Sequence, residues 1–442
     1  MTTLTFDELT IRAGHLGGES SLPSILPVLN VQTEKSARLD EDDEIFFDIG
    51  KIRSIFPYNQ QDLYDRALDP QSFRTAVLEN DFLRAVFLPE LGGRLWSLFD
   101  KKAGRELLYV NDVVRYCNLA LRNAWISGGV EWNIGMIGHS PFTCAPLFTA
   151  RLEAGDGTPI LRMYEYERLR GITYQMDFSL PEGSPLLLCR MRVTNLQNKT
   201  IPMYWWSNIA VPETPDRRIV VPTDESYYSF WSTVAKTPIP MRAGKDVTYP
   251  VNTECSMDYF YRIPEENRKY IACLDKDGYG LVQTSTRRLK GRKLFVWGQS
   301  EGGHTWQRFL TDKAGDYSEI QAGLARTQYE CIPMPPCSAW EWVEGYGAMS
   351  ADPAKVHGGW PEARREVEQR LEERMPADAL EGILIRSRAD YVFKKGDLIQ
   401  NGSGFGALEN RRRQQTGERL LPEHLDFGEP GDAQRHWMEL LE

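Results

Sequence analysis

The sequence predicts a mainly β protein, an antiparallel sandwich or barrel followed by a helical appendage. From about residue 4 to residue 350, short apolar stretches of period two are broken by Gly, Pro, Asn and Asp, which is the pattern of half-buried strands joined by turns. No stretch of helical period separates them, and this favours an antiparallel arrangement over an alternating α/β sheet. Near residue 351 the pattern becomes helical.

The stretch 186–196 (LLLCRMRVTNL) illustrates the strand pattern. Leu187, Cys189, Met191 and Val193 alternate with mostly polar residues, as expected for a strand with one face in a core. Other predicted strands, bounded by turn residues, cover 73–79, 82–88, 94–99, 146–153, 160–169, 172–179, 202–211, 270–274, 279–285, 292–298, 316–323 and 339–348.

The C-terminal segment is predicted to be helical. Residues 361–382 favour a helix because Val367, Leu371 and Met375 recur at a spacing of four opposite a charged face. A last amphipathic helix is predicted over 431–441. The predicted organisation is therefore N-terminal strands and an arm over 1–40, a sandwich carrying the ligand site over 41–350, and a helical appendage packed on the sandwich over 351–442.

Composition excludes several classes of protein. The chain has 442 residues and a formal net charge of -10, and it lacks the basic stripe that a nucleic-acid partner would require. No window approaches 18 apolar residues, so no membrane partner is expected. The N-terminal sequence lacks the pattern of a signal peptide, and we therefore expect a cytoplasmic protein.

The sequence gives no reason to expect a metal or a nucleotide cofactor. The seven cysteines are scattered without a C-x-x-C pair, and no two histidines are spaced i, i+4 on a predicted helix. Neither a Gly-x-Gly-x-x-Gly turn after a strand nor a phosphate-binding Gly-Lys-Ser/Thr loop occurs. We expect a small-molecule or oligosaccharide ligand, no cofactor, and a surface compatible with a homodimer.

Tryptophan content is the main compositional oddity. The chain has twelve tryptophans, and a broad aromatic face stacks well on the C–H face of a sugar ring. The alternative is that tryptophan fills the interior of a wide sandwich. Eight of the twelve form the close pairs Trp125/Trp132, Trp205/Trp206, Trp297/Trp306 and Trp340/Trp342.

The segment 118–142 combines residues that plain strands do not need. Trp125, Glu131, Asn133 and His139 lie within fifteen residues, and a loop here could bring a carboxylate, an imidazole and indoles to one rim. The alternative is a capping loop in which Glu131 forms a salt bridge.

A second group of ionisable residues lies in the last strands before the helical segment. Strand alternation places Glu319 and Gln321 on one face and Ile320 on the other. The alternative is an outward-facing glutamate on an edge strand. Glu341 and Glu344 of a later strand point to opposite faces, so at most one of them can share a pocket with Glu319.

Several stretches resemble galactose-mutarotase-like proteins. The stretch 87–111, with its Gly-Gly-Arg turn, resembles their early strands. The triplet beginning at Glu319 (EIQ) resembles the Glu-x-Gln strand that supplies the catalytic base in mutarotases. Where their strand carries a histidine acid, residues 205–209 read WWSNI, and no histidine occurs between His139 and His304.

Together with the tail segment 402–412 (GSGFGALENRR), these stretches resemble the DUF5107 family, a mutarotase-like group often found ahead of tetratricopeptide repeats. The resemblance covers most of residues 40–442. It implies a galactose-mutarotase-like antiparallel β-supersandwich with a helical C-terminal appendage, a carbohydrate ligand, and Glu319 as the first choice for a catalytic base.

The sequence favours a glycoside hydrolase and leaves two alternatives open. A glycoside hydrolase needs two carboxylates, with inversion slightly favoured because a wide cleft leaves room for water. An aldose or sugar-phosphate epimerase needs a base and an acid, which could be Glu319 with His139 or His304. A non-catalytic glycan-binding protein would keep the tryptophans without needing the carboxylates.

The candidate site residues fall into two groups. The candidate catalytic residues are Glu131, His139, Glu319, Glu341 and Glu409. The candidate substrate-binding residues are Arg94, Trp125, Trp132, Asn133, Trp205, Trp206, Asn208, Trp297, His304, Trp306, Gln321 and Trp342.

Overall fold

The fold, seen in a computed structural model, is mainly β and consists of two large, mostly antiparallel sheets with helices at the C-terminal end. This confirms the predicted fold class. The residues that the structure describes are 1–21, 36–38, 43, 45–47, 49–230 and 233–442.

The strands alternate with short turns along most of the chain. In chain order they are β1 (Thr3–Ala13), β2 (Ser36–Arg38), β3 (Asp69–Glu79), β4 (Leu83–Leu88), β5 (Arg94–Asp100), β6 (Arg105–Glu106), β7 (Val113–Val114), β8 (Cys117–Ala120), β9 (Asn123–Trp125), β10 (Val130–Ile134), β11 (Phe148–Glu153), β12 (Pro159–Glu167), β13 (Ile172–Ser179), β14 (Leu186–Asn195), β15 (Ile201–Met203), β16 (Trp205–Pro212), β17 (Arg218–Val220), β18 (Glu225–Phe230), β19 (Thr233–Pro238), β20 (Met241–Arg242), β21 (Lys245–Asp246), β22 (Met257–Tyr261), β23 (Lys269–Leu274), β24 (Tyr279–Ser285), β25 (Gly291–Val296), β26 (Tyr317–Gly323), β27 (Ile332–Met334), β28 (Ser338–Ser350) and β29 (Asp397–Gln400).

The helices, apart from the first, follow the last long strand. They are α1 (Glu301–Leu310), α2 (Pro353–Val356), α3 (Trp360–Arg374), α4 (Ala377–Asp390), α5 (Phe405–Thr416) and α6 (Arg435–Leu441), with 3-10 turns at Pro250–Asn252 and Asp432–Gln434. In the described part of the chain, none of them is long and apolar enough to cross a membrane.

The larger sheet has 14 strands in the order β2-β19-β18-β22-β25-β26-β16-β10-β5-β4-β3-β1-β7, with β6 paired to β5. The predicted N-terminal strand is β1, which pairs with β3 along its whole length, from Thr3 opposite Glu79 to Ala13 opposite Asp69. The N-terminal segment is therefore an integral part of this sheet. The arm predicted up to residue 40 lies in part outside the described residues.

The second sheet has nine strands in the order β17-β23-β24-β28-β14-β13-β12-β11-β29. Its inner face and the inner face of the larger sheet enclose the main core. Leu187, Cys189, Met191 and Val193 of β14 all point into that core, together with Ile320 of β26. The predicted alternation of β14 is therefore confirmed.

The outer face of β14 is buried too, which the sequence pattern did not predict. Leu186 and Leu188 pack against Leu380 of α4, and the Arg190 guanidinium donates to Ser387 Oγ at 2.8 Å. The helical segment covers this face, so polar residues that read as solvent-facing are enclosed between the sheet and the helices.

Three tryptophans predicted to bind substrate lie in the main core instead. The rings of Trp132 and Trp205 are stacked with centroids 6.2 Å apart, and Trp342 meets Trp205 edge-on at 5.5 Å. The indole N–H groups of Trp205 and Trp342 donate to Glu344 Oε1 at 3.0 and 3.2 Å. Their strand positions point toward the opposite sheet, so these rings pack in the interior between the two sheets.

The helix predicted over 361–382 is two helices. Helix α3 ends at Arg374 and α4 begins at Ala377 because Pro376 cannot donate a backbone hydrogen bond and clashes with a continuing helix. Strand β29, which pairs with β11, was not predicted.

A buried ion pair attaches the C-terminal segment to the second sheet. Arg162 and Asp177 are fully buried with Nε and Oδ1 2.6 Å apart. The same guanidinium donates to the carbonyl oxygens of Tyr391 and Val392, both at 3.1 Å. Leu371 of α3 belongs to the main core, so the helical segment shares the core of the sandwich.

We expect Leu371→Ala to destabilise the whole protein by about 2–5 kcal/mol, because it leaves a cavity in a shared core. Ile385→Ala, at a side chain 72% exposed on α4, should change stability by less than about 0.5 kcal/mol. Urea unfolding followed by tryptophan fluorescence measures both changes. If the main transition of Leu371→Ala stays at the wild-type midpoint, the helices do not contribute to that core.

Candidate functional site

A cavity of about 300 Å³ lies on the face of the larger sheet that is turned away from the main core. Its volume is at the lower end of the range for small-molecule sites. It is lined by Leu119, Trp125, Gly138, His139, Tyr204, Asn208, Ser256, Asp258, Lys293, Phe295, Trp297, Glu319, Gln321 and Gln328.

Cross-strand register builds the floor of this cavity. Glu131 of β10 lies opposite Asn208 of β16, Asn208 lies opposite Gln321 of β26, and Gln321 lies opposite Lys293 of β25. Directly opposed residues share a face, and neighbouring strands are about 4.8 Å apart. Four adjacent strands thus place a carboxylate, two amides and an ammonium group in one row.

Glu131 is a buried carboxylate whose two oxygens are already bonded. Oε2 lies 2.9 Å from His139 Nδ1 and accepts from the Trp125 indole at 3.3 Å. Oε1 accepts from Thr143 at 2.5 Å and lies 3.7 Å from the Arg94 guanidinium. Burial alone would raise the pKa of Glu131, but His139, Arg94 and Thr143 lower it to about 2, so this residue stays ionised.

His139 is held in place by Glu131 and by its own loop. The loop is fixed by Asn133, whose Oδ1 accepts from the backbone N–H of Ser140 at 2.7 Å, and the imidazole packs on Trp125 with centroids 5.3 Å apart. Burial lowers the pKa of His139, but the charge and hydrogen bond of Glu131 outweigh that effect and raise it overall. Because Nδ1 faces Glu131, Nε2 is left without a hydrogen bond among the described residues and can serve as a proton donor.

Glu319 lines the cavity and differs from Glu131 in its surroundings. Oε2 accepts from the Gln321 amide at 2.8 Å, and Oε1 has no hydrogen bond within the described ranges. Burial raises the pKa of Glu319, and the Glu131 anion raises it further, against the opposite effects of His139 and Lys293. The structure therefore offers a basic carboxylate that faces the cavity.

A charged pair closes the far side of the cavity. Lys293, which is 4% exposed, lies 2.8 Å from Asp258 Oδ1 and also donates to Gln328. Tyr329 donates to Asp258 Oδ2 at 2.7 Å, and Gln328 donates in turn to Gln321. This network holds Gln321 and neutralises the ammonium group.

Asn208 presents an unpaired acceptor at the centre of the floor. The residue is 6% exposed, and its Oδ1 is buried without a hydrogen-bond partner. Buried polar atoms in folded proteins nearly always have a partner. A ligand hydroxyl that donates to Oδ1 would satisfy it.

Aromatic rings form the walls. Trp125 and Trp297 line the cavity, and Trp306 of α1 stacks on the outer side of Trp297 with centroids 5.3 Å apart. Of the predicted tryptophans, Trp125 and Trp297 are the two that line this cavity. Trp306 supports one of them from behind.

Other predicted binding residues lie beside the cavity without lining it. Arg94 is buried and donates to Gly128 O at 2.9 Å and to Thr143 at 3.0 Å, so it orients the Glu131 region. Trp206 is fully buried over Gly323, where a Cβ atom would come within 2.3 Å of its ring. Asn133 acts on the loop of His139, as described above.

The remaining candidates are remote from this row. Glu341 belongs to the second sheet and pairs with Arg190 at 3.0 Å. Glu409 of α5 pairs with Arg413 at 2.6 Å. His304 lies on α1 and does not line the cavity. The structure thus unites His139, Glu319, Asn208, Gln321, Trp125 and Trp297, with Glu131 directly behind them.

Sequence reasoning missed Lys293, Asp258 and Gln328. Alternation along the predicted strand 292–298 places Lys293 and Phe295 on one face, which was a usable signal. No such signal existed for Asp258, because β22 was not predicted. The pairing of β22 with β25 that brings Asp258 to the cavity exists only in the assembled sheet. The segment 118–142 was predicted as a loop, whereas Glu131 lies on strand β10.

Comparisons with known proteins agree with the fold. The family model described as a domain of unknown function (DUF5107) matches residues 50–334. A TPR-domain containing protein from Parabacteroides distasonis shares the fold with a TM-score of 0.65 and 21% identity over 79% of this chain and 55% of that protein. This chain therefore spans about half of that protein's length.

Weaker similarities extend to shorter proteins. A galactose mutarotase-like protein from Clostridium acetobutylicum matches with a TM-score of 0.46 and 10% identity, over 63% of this chain and 96% of that one. A candidate aldose 1-epimerase from Klebsiella pneumoniae matches with a TM-score of 0.48 and 12% identity, over 68% of this chain and 83% of that one.

We expect Glu131→Gln to lower the pKa of His139, because the substitution removes the carboxylate that stabilises the imidazolium. NMR titration of the histidine ring signals measures the change. Since folding raises the pKa of His139, its imidazolium contributes stability that is fully present below the ordinary pKa of histidine and is lost as pH rises through the raised pKa. An unchanged His139 titration in Glu131→Gln would contradict the assignment.

Proposed function

The chain belongs to the DUF5107 family, a domain of unknown function, and we propose that it catalyses interconversion of the anomers of a free monosaccharide. The observation that carries the proposal is the pairing of Glu319 with His139 at one cavity. One is a carboxyl group with few partners, and the other is an imidazole whose pKa is raised by the charge and hydrogen bond of Glu131. An aldose 1-epimerase requires such a base and such an acid.

The reaction needs two proton transfers and one bond cleavage. Glu319 removes the proton of the anomeric hydroxyl while His139 Nε2 protonates the ring oxygen, and the bond between C1 and the ring oxygen breaks. The open aldehyde turns about the C1–C2 bond. Closure on its other face reverses both transfers, so each residue ends in its starting protonation state.

The size and walls of the cavity support a small carbohydrate ligand. A volume of about 300 Å³ suits a single ring better than an oligosaccharide. Trp125 and Trp297 line the cavity, and aromatic rings pack well on the C–H side of a sugar. Asn208 Oδ1 offers an acceptor for one hydroxyl.

The charge of the site supports an uncharged sugar over a sugar phosphate. Lys293 is the one lysine or arginine among the described residues that line this cavity, and Asp258 already neutralises it. A phosphate would need additional donors with positive charge. Arg94 is directed at Glu131 and Gly128 and does not provide one.

A glycoside hydrolase is less well supported by the same geometry. Hydrolysis usually requires two carboxyl groups that flank the bond. Glu131 has both oxygens occupied and a pKa of about 2, which makes it a poor acid. Asp258 is held by an ammonium and a phenol group, and Glu341 and Glu409 are ion-paired elsewhere. Glu319 would therefore have no second carboxyl group available to flank the glycosidic bond.

We expect Glu319→Gln to slow anomer exchange by about a hundredfold or more, because loss of a general base typically costs 10²–10⁴ in rate. Exchange NMR on a panel of aldoses measures the rate directly. Glu301→Gln, which removes a carboxylate that is 83% exposed on α1, is the matched control and should be as active as the wild type.

Two results would contradict the epimerase proposal. New reducing-end signals from disaccharides, lost in Glu319→Gln, would establish glycosidic cleavage. Sugar signals that broaden equally with wild type and Glu319→Gln, without faster exchange, would establish binding without catalysis.

We expect Asn208→Leu, which preserves the approximate volume of the side chain, to raise KM about tenfold with a smaller effect on kcat. The substitution removes an acceptor for a ligand hydroxyl, and a hydrogen bond of this kind contributes about 1 kcal/mol or somewhat more. The exchange assay at increasing sugar concentration gives both constants. Asn118→Leu, at an exposed position of β8, is the control. An equal KM in the two variants would show that Asn208 does not bind the ligand.

A further inference from the structure

A second, larger cavity of about 750 Å³ lies where α4 meets the loops of both sheets. It shares no lining residue with the first cavity. Its apolar surface comes from Ile263, Leu324, Ile332, Trp340 and Leu384. Its volume falls within the range of small-molecule sites, and nothing described so far gives it a role.

The four carboxylates that line this cavity already have partners. Glu265 pairs with Lys290, and Glu341 pairs with two arginines of β14. Glu330 accepts two backbone N–H groups, at 2.7 and 3.0 Å. Glu381 accepts another at 2.7 Å. These groups are therefore committed to the fold.

Several cations of the same cavity have no carboxylate partner. Lys269 is 3% exposed, and its ammonium group donates to the carbonyl oxygens of Pro264 at 2.5 Å and Glu265 at 3.3 Å. Arg288 and Arg326 line the cavity without an ion pair or hydrogen bond among the described residues. A buried lysine without an anionic partner is rare in folded proteins.

The environment of Lys269 shifts the pKa of its ammonium group. Burial lowers its pKa to about 8, and the nearby charges of Arg292, Arg326 and Lys290 lower it as well, against the opposite effect of Glu265. An anion bound in the cavity would offset this repulsion and stabilise the ammonium form.

Arg288 is oriented by an aromatic ring. Its guanidinium carbon lies 5.3 Å from the centroid of Trp340, and a guanidinium stacked in this way keeps its N–H groups free for an acceptor in its own plane. Trp340 is itself partly exposed and can contact an apolar body beside the arginine.

We propose that this cavity binds a small organic anion, a phosphate or carboxylate group carried on a flat or apolar body. Arg288, Arg326 and Lys269 contact the anionic group, and Trp340 with the neighbouring aliphatic side chains contacts the body. The proposal does not depend on the reaction proposed for the first cavity.

Isothermal titration calorimetry with phenyl phosphate and with benzoate tests the proposal and distinguishes the two anionic groups. At least one of them should bind to a single site, and more tightly than phenol or inorganic phosphate, because only these probes combine charge with an apolar body. Arg288→Gln and Arg326→Gln should each weaken binding about tenfold or more, since hydrogen bonds to charged groups are the stronger ones.

Arg74→Gln is the matched control, because this exposed arginine of β3 lines neither cavity. It should bind like the wild type. Equal weakening in all three arginine variants would indicate a nonspecific charge effect and overturn the proposal. Binding that persists in Arg288→Gln and Arg326→Gln but is lost in His139→Gln would place the anion in the first cavity and also overturn it. The absence of binding by both anionic probes would overturn the proposal as well.

Discussion

Cross-strand register among β10, β16, β26 and β25 is the constraint on which the candidate site depends. Side chains alternate between the two faces of a strand, so one register places Glu131, Asn208, Gln321 and Lys293 in a row and sends their neighbours into the core. A shift by one residue would exchange the two sets. The apolar core between the sheets opposes such a shift, and the packing that stabilises the fold therefore also aligns the polar row.

The polar row places charges where water is largely excluded, and their pairing determines the chemistry that is available. An isolated buried carboxylate is costly, and Glu131 is tolerated because His139, Thr143, Trp125 and Arg94 surround it. The same bonds prevent Glu131 from acting as a free base and raise the pKa of His139. Glu319, with a single amide donor, retains the basicity that Glu131 has lost. Two glutamates close in space thus have different roles because their partners differ.

The helical segment gives the second sheet a different environment from the one its sequence suggests. Helix α4 packs on its outer face, so β14 is buried on both sides and its arginines bond to Ser387 and Glu341 rather than to water. Part of the second cavity lies against this same covering helix. The outer face of the second sheet thus packs against the helical segment, whereas the outer face of the larger sheet carries the candidate site.

Local periodicity and turn residues were enough to predict the mainly β fold, most of the long strands and the helical end. Strand alternation also placed Glu319 and Gln321 on one face, since alternation needs no knowledge of the partner strand. The packing of the sandwich was needed to show that Trp132, Trp205 and Trp342 face the core, that Glu341 and Glu409 are ion-paired elsewhere, and that Lys293 and Asp258 line the cavity. Each of these depends on which strands or helices become neighbours, and that pairing is set by packing across the whole sandwich rather than by local sequence.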